Sequence, residues 1–579
     1  MKQILVCVAT LVAAIAGGCV LQTAEAQVSE AQKASAAGTW YGTINRPPVG
    51  EIRLELRVKE MAGALSGELF NADQGVATLL ADVTSDGATL EFSVPVTRAH
   101  FTGKWDAAAK AWVGEYAHPA GSSPAKFAAG SIPPLPPLPK VEGLDGRWEG
   151  KVQGMAPIVV RIETTAGGTR AWMDMPAQQV VGMPIRTLTR DGAKATFGLP
   201  QLMMKFEGQL DGDKLAGTIS QAGQPLPLML TRTSTSATPV KAFSRPQIPQ
   251  RPYPYQESNA VIDNPAARGV KLGCTLTEPN SVGPHPGVVL IGGSGAEDRD
   301  LTGAGHKTFL VLADHLTRKG IAVLRCDDRD FGKSADAMKS SLVRDFASDV
   351  KAELAWMRAR PEIDAERVGL LGGSLGGVIG PVVTADDKGV AFVVMLAGLG
   401  VPAVDAMVEQ RVMIAQSNGA TATELAAIRA IWPDVHRQLR DAKDDVTARA
   451  VVKAALLKTP KARPPVYPTD EVAVGMMASK FARDLYQYDP APVFAKIETP
   501  VLSLIGALDV QVSARQNNAG LRKLLDKHPD ATIIDLPGIN HLFQHAKTGA
   551  MEEYAEIEES FSADTLELIA NWMLKRVGN

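Results

Sequence analysis

Residues 367–380 read Arg367-Val368-Gly369-Leu370-Leu371-Gly372-Gly373-Ser374-Leu375-Gly376-Gly377-Val378-Ile379-Gly380. The apolar run Val368–Leu371 has the length and composition of a buried strand, and it stops abruptly at Gly372-Gly373-Ser374-Leu375-Gly376. A G-x-S-x-G pattern between a strand and a helix is a tight turn that holds its serine in strained backbone geometry. The flanking glycines let strand and helix approach without colliding Cβ atoms. Ser374 is therefore expected to project its hydroxyl from the end of a sheet. Five residues of this kind are a weak signal, so the rest of the chain must carry the reading.

At 579 residues the chain is too long for one ordinary domain, and length alone suggests roughly three or four. Hydrophobic residues make up 45% and charged residues 21%, the proportions of a globular protein with ample core material. A net charge of −3 and a pI near 6.4 supply no general attraction for nucleic acid or an anionic membrane. The N-terminus reads as a processing signal over residues 1–26: Lys2, an apolar run from Ile4 to Ala16 too short for a comfortable span, and Ala24-Glu25-Ala26 as a cleavage site. Export to a periplasm or beyond is expected, with a lipoprotein anchored through Cys19 as the alternative. The mature chain would then keep Cys274 and Cys326, which are read with equal weight as buried thiols or as a disulfide. Neither has a companion at metal-ligand spacing, so no metal is assigned.

From Gly38 to about Thr233 the pattern is short alternating strands with Gly, Asp and Asn turns. Gly38-Thr39-Trp40-Tyr41-Gly42 recurs as Gly146-Arg147-Trp148-Glu149-Gly150, and Phe101-Thr102-Gly103 with Asp106 recurs as Phe206-Glu207-Gly208 with Asp211. This implies two copies of a small antiparallel barrel or sandwich, over 37–130 and 140–235, joined by the proline-rich stretch Ile132–Pro139. Trp40 and Trp148 are read as core residues closing a barrel end, with exposed stacking platforms for a glycan or envelope ligand as the alternative.

A second Pro-rich stretch, 236–256, is read as a linker, after which strands and helices alternate as in a largely parallel sheet. Expected strands are Gly269–Leu276, Gly287–Ile291, Ile321–Arg325, the strand before Ser374, Ala391–Leu396, Pro500–Ile505 and Thr532–Leu536. The alternation breaks over about 401–488, an amphipathic helical stretch read as a cap.

A serine needs a base oriented by a carboxylate. With both partners after the serine in the chain, His436, His528, His541 and His545 are the possible bases. His436 and His528 sit where a histidine is usually solvated surface. His541 follows a strand through Pro537-Gly538-Ile539-Asn540 and is preferred, with His545 as the alternative. Asp509, just beyond the strand Val501–Ile505, is the expected acid; Asp535 lies inside its strand and is the poorer choice. The N–H groups of Leu375 and of Ser294, or failing that Gly293, are the expected oxyanion donors. Gly292-Gly293-Ser294-Gly295 lacks the spacing of a nucleotide-binding loop.

From about Val261 onward the chain resembles the bacterial α/β-hydrolases of the serine-aminopeptidase-like and dienelactone-hydrolase-like esterase group. The resemblance rests on Gly292-Gly293-Ser294-Gly295 with Asp298-Arg299-Asp300, Asp327-Asp328-Arg329 with Gly332-Lys333-Ser334, the serine turn, Tyr488-Asp489-Pro490 and Pro537–Phe543. Asp330 departs from it, since relatives typically have glycine there. The resemblance implies an α/β-hydrolase fold over 257–579, with Ser374, Asp509 and His541 as nucleophile, acid and base. It implies cleavage of a small-molecule ester through an acyl-enzyme, a thioester or aminopeptidase-type amide being alternatives, with no cofactor. A reading of another class is a non-catalytic envelope ligand-binding protein.

Overall fold

A computed structural model describes residues 34–578, apart from 47–49, 62, 95–96, 120, 153–155, 179, 222–223, 241–242, 268, 296, 330–341 and 465–468. The expected leader with Cys19, together with Asp330 and Gly332-Lys333-Ser334, lies outside the described residues. The chain divides into two compact units, one holding the first β-region together with residues 199–204 and the other holding the rest of the second β-region and everything C-terminal to it.

Each β-region is a single nine-stranded antiparallel sheet whose strands, numbered along the chain, stand in the order 4-3-2-1-9-8-7-6-5. The strands span Gly38–Arg46 to Gly121–Ala129 in the first and Gly146–Val152 to Gln224–Ser234 in the second. In both, the first strand pairs with the last, through Trp40 and Ala129 and through Arg147 and Ser234. The two edge strands are consecutive in sequence, and a lone sheet can bury one face against itself only by curling. The alternating inward residues do this in the first sheet, where Trp40, Leu56, Phe92, Phe101, Trp112 and Phe127 form one core. Trp40 and Trp148 are both buried, and each indole N–H donates to the carbonyl four residues back, Ala36 at 2.9 Å and Leu144 at 2.8 Å. These rings are core residues and form no exposed platform.

The C-terminal region is built on an eight-stranded sheet: β1 Gln256–Asp263, β2 Lys271–Glu278, β3 His285–Ile291, β4 Ala322–Cys326, β5 Ile363–Gly373, β6 Val393–Leu396, β7 Val501–Gly506 and β8 Ala531–Leu536. Their order is β1-β2-β4-β3-β5-β6-β7-β8, with β2 antiparallel to both neighbours and the rest parallel. This is the α/β-hydrolase arrangement. β3 and β7 are buried at every residue, as parallel strands covered on both faces must be. Helices α1 Thr308–Arg318, α2 Val343–Arg358, α3 Gly376–Asp386, a long set between β6 and β7, α10 Ala514–Leu524 and α11 Ala563–Val577 complete it.

The set between β6 and β7 comprises α4 Ala403–Ser417, α5 Ala422–Asp441, α6 Asp445–Lys458, α7 Asp470–Met477, α8 Lys480–Leu485 and α9 Pro490–Phe494. The first five helices hold their own apolar cluster around Val412, Ile428, Trp432, Val452 and Tyr486. α4 also reaches the loop after β7, where Gln410 donates to the Gln511 carbonyl at 3.0 Å.

The structure adds three features to those expected. β1 is a strand that sequence patterning missed, because Gln256–Asp263 is mostly polar and lies at the sheet edge. The Pro-rich stretch is no free spacer: Arg245 is buried and donates to the carbonyls of Ala555 and Ile557, while Gln247 bonds the backbone of Ser560 and Phe561. Cys274 and Cys326 face each other across β2 and β4 and form a disulfide.

Candidate active site

The C-terminal ends of β3, β5, β6, β7 and β8 share one sheet edge, and the loops leaving them carry the candidate residues. At the end of β5 the chain turns into α3 through Ser374, whose φ of 53° is left-handed, a conformation a serine adopts only under constraint. Two glycines make the turn possible. A Cβ on Gly372 would stand 2.0 Å from the Gly376 carbonyl oxygen, and one on Gly376 would stand 2.2 Å from the Ile291 carbonyl oxygen of β3. The Ser374 N–H donates to the Leu396 carbonyl of β6 at 2.7 Å, which pins the turn to the sheet.

β7 delivers Asp509 and β8 delivers His541. Asp509 Oδ1 accepts the backbone N–H groups of Gln511 and Val512 at 2.7 and 2.8 Å, while Oδ2 accepts His541 Nδ1 at 2.7 Å. The Asp509 side chain is fully buried and that of His541 is 9% exposed. Burial opposes charge on His541, but the charge and hydrogen bond of Asp509, aided by the charge of Glu297, hold its pKa above the usual histidine value.

The loop after β3 faces the serine turn. A Cβ on Gly293 would stand 3.6 Å from Ser374 Cβ and 3.5 Å from both carboxyl oxygens of Glu297. The Gly293 N–H donates to Glu297 Oε2 at 2.6 Å. The second-choice oxyanion donor is thus already engaged, because the glutamate four residues on folds back over the turn. Among the described residues, the N–H groups of Leu375 and Ser294 have no acceptor. Glu297 is half-buried, and the protein crowded around its carboxyl pushes its pKa up, against the pull of the Gly293 bond. Burial likewise pushes Asp328 up to about 7 and Glu353, on α2, up to about 8, each helped by neighbouring carboxylates.

The acidic and basic motifs quoted from the sequence lock this loop in place. Arg299 pairs with both oxygens of Asp327 at 3.0 and 2.6 Å, the Arg299 N–H donates to Asp327 Oδ1, and the Glu297 N–H donates to Asp328 Oδ2. The loop after β3 is therefore clamped to the end of β4, and a bidentate arginine–carboxylate pair is well suited to that.

The other histidines fall elsewhere. His545 is exposed and pairs with Glu559, and His528 caps a turn by accepting the Asp530 N–H. His436 is not solvated surface. It is fully buried between Trp432 and Tyr486, Nε2 accepts from Arg411 at 3.0 Å, and Nδ1 donates to the Val404 carbonyl. Burial and Arg411 drive its pKa down to about 3, so it stays neutral. Asp535 bonds Arg522 and Asn518, away from His541. Glu297 is the residue that sequence reasoning missed. Its signal is an acid four residues after Gly293, the loop glycine facing the serine. Among the described residues, no group of three or more His, Cys, Asp or Glu is arranged to hold a metal ion, and no helix is long and apolar enough to cross a membrane.

Residues 305–546 match the family model for serine aminopeptidase S33, a span that contains Ser374, Asp509 and His541. The chain is 27% identical over 300 residues to Esterase EstD of Thermotoga maritima, covering 52% of this chain and 65% of that protein. It thus spans a little under two thirds of that relative's length. Among solved structures, dienelactone hydrolase from Anabaena variabilis is similar over 56% of this chain and 99% of its own, at 16% identity and a TM-score of 0.31. Est1E from Butyrivibrio proteoclasticus is similar over 55% and 99%, at 14% identity and a TM-score of 0.32. The family match lies wholly within the C-terminal region.

Proposed function

We propose that the protein is an exported serine hydrolase that cleaves a carboxylic ester through an acyl-enzyme. The observation that carries this is the 2.7 Å Asp509–His541 bond at the sheet edge where the strained Ser374 turn emerges. Ser374 Oγ attacks the carbonyl carbon and its proton passes to His541 Nε2. Asp509 holds the Nδ1–H tautomer that leaves Nε2 free to accept, and its charge stabilises the imidazolium. The N–H groups of Leu375 and Ser294 receive the oxyanion. His541 then returns the proton to the leaving alcohol, and a water repeats the sequence to release the acid. Similarity to an esterase favours an ester over a thioester or an amide. The helices between β6 and β7 serve as a cap, a reading supported by the contact of α4 with the loop bearing Asp509. Export is supported by the Cys274–Cys326 disulfide, a bond that persists in oxidising compartments.

The test is to treat the folded protein with a fluorophosphonate and map the adduct. Labelling of Ser374 that is lost in Ser374→Ala and slowed in His541→Ala is expected. A folded preparation with no adduct at Ser374 refutes the hydrolase reading and leaves the envelope ligand-binding one.

A further inference from the structure

The first nine-stranded sheet encloses a cavity of about 340 Å³ at the end opposite Trp40, and we propose that it binds a small monocarboxylic acid by its apolar body and acidic head. Side chains alternate along a strand, so Trp40, Gly42, Ile44 and Arg46 share the inner face of the first strand, as Trp112, Gly114, Tyr116 and His118 share that of the eighth. The tryptophans fill one end with a T-shaped pair at 6.0 Å. At the other end the inner residues stop filling the space. The floor is Ile44, Ile52, Leu54, Leu69 and Val94, all buried; Tyr116, also buried, and His118 line the cavity beside Arg46, which is exposed at the mouth.

Arg46 makes this rim acid-binding. Arg46 is exposed, and among the described residues it has no carboxylate within ion-pair distance, the ion pairs in its sheet being Arg53 with Asp73 and Arg57 with Glu55 and Glu68. Burial pushes the Tyr116 hydroxyl up and the His118 imidazole down, with Arg46 acting electrostatically on both. The mouth offers one guanidinium, and no carboxylate stands among the described residues of the lining. A guanidinium receives a carboxylate through two parallel N–H bonds, and the apolar floor suits a hydrocarbon body. At about 30 Å³ per heavy atom, the share of a water in the liquid, the cavity holds roughly eleven heavy atoms.

The second sheet shows that the fold does not require this rim. There Ile219, buried, stands two residues beyond Gly217 as Tyr116 stands two beyond Gly114, and each of these glycines packs on the glycine of the preceding strand. Counting six from the tryptophan, the sequence has Gly154 where the first region has Arg46. The same strand order is thus built without the cation and the phenol.

Calorimetric titration of the intact protein with octanoate tests the site. One octanoate per chain is expected, with octan-1-ol and octylamine binding at least tenfold more weakly. Arg46→Met should weaken octanoate at least tenfold, and Val76→Trp, at an exposed position lining the mouth, should block it, both with an unchanged thermal melt. Absence of octanoate binding, octan-1-ol binding equally well, or affinity unaltered in both variants would overturn the proposal. This result is independent of the hydrolase reading, which is read at Ser374 by fluorophosphonate.

Discussion

The exchange Asp509→Asn isolates the role of one carboxylate oxygen. Asp509 Oδ1 accepts two backbone N–H groups, from Gln511 and Val512, and these bonds leave only one way for an asparagine to sit: its carbonyl oxygen takes Oδ1's place and its NH2 takes Oδ2's. That NH2 then faces His541 Nδ1, where the wild type has an acceptor at 2.7 Å. The ring must present Nδ1 as an acceptor, which puts its proton on Nε2, the atom to which the proposed mechanism delivers the Ser374 proton. The same exchange in a Ser-His-Asp enzyme costs about 10⁴ in kcat, and each tenfold is about 1.36 kcal/mol, so the proposed triad should lose about 5.4 kcal/mol of transition-state stabilisation. Stability should change little, because both turn bonds survive. Asp509→Ala, by contrast, strands the two N–H groups and should also destabilise the fold by about 2–4 kcal/mol. The assay is hydrolysis of p-nitrophenyl acetate from pH 5 to 9, beside a thermal melt. In the wild type, activity should rise with pH through a midpoint above 6.5, since His541 must be neutral to act and its pKa is raised. A loss below tenfold in Asp509→Asn, or a melt lowered as far as that of Asp509→Ala, would refute the reasoning.

Three further outcomes are expected. Glu297→Gln keeps an acceptor for the Gly293 N–H but removes a charge that raises His541, so the acid limb of the rate profile should move to lower pH, by less than in Asp509→Asn; an unmoved limb would count against this coupling. Glu353 binds its proton more tightly folded, at about 8, than unfolded, near 4.5, so its burial costs nothing at low pH and most above pH 8; Glu353→Gln should raise stability at pH 8.5, by up to about 5 kcal/mol, and change little near pH 4.5 in paired melts. Replacing Cys274 and Cys326 together by serine opens a crosslink between residues 52 apart, and denaturant titration should show a loss of about 4 kcal/mol at most.

Much of the C-terminal sheet was legible because its strands are continuous apolar runs ended by glycine turns, as β3, β5 and β7 show. The same grammar puts Asp509 and His541 just beyond neighbouring strand ends. β1 was not legible, since an edge strand such as Gln256–Asp263 needs no apolar pattern. His436 is buried, contrary to the surface position expected of it, because it falls four residues after Trp432 on the buried helical face of Ile428, Trp432, Val435 and Leu439. Glu297 escaped because its importance comes from a side chain folding back on a backbone N–H, which leaves no periodic trace. The pairing of Arg299 with Asp327 was equally hidden: both motifs were visible, but only the adjacency of β3 and β4 brings them together.

Both curled sheets pair their first strand with their last, and this sets an order of events as the chain is made. Trp40 finds its neighbour Ala129 only after some ninety further residues have emerged, and Arg147 waits similarly for Ser234. Such distant closure is slow, so each region must remain open until its ninth strand is available. A chain delivered from its N-terminus would therefore expose two unfinished sheet edges in succession.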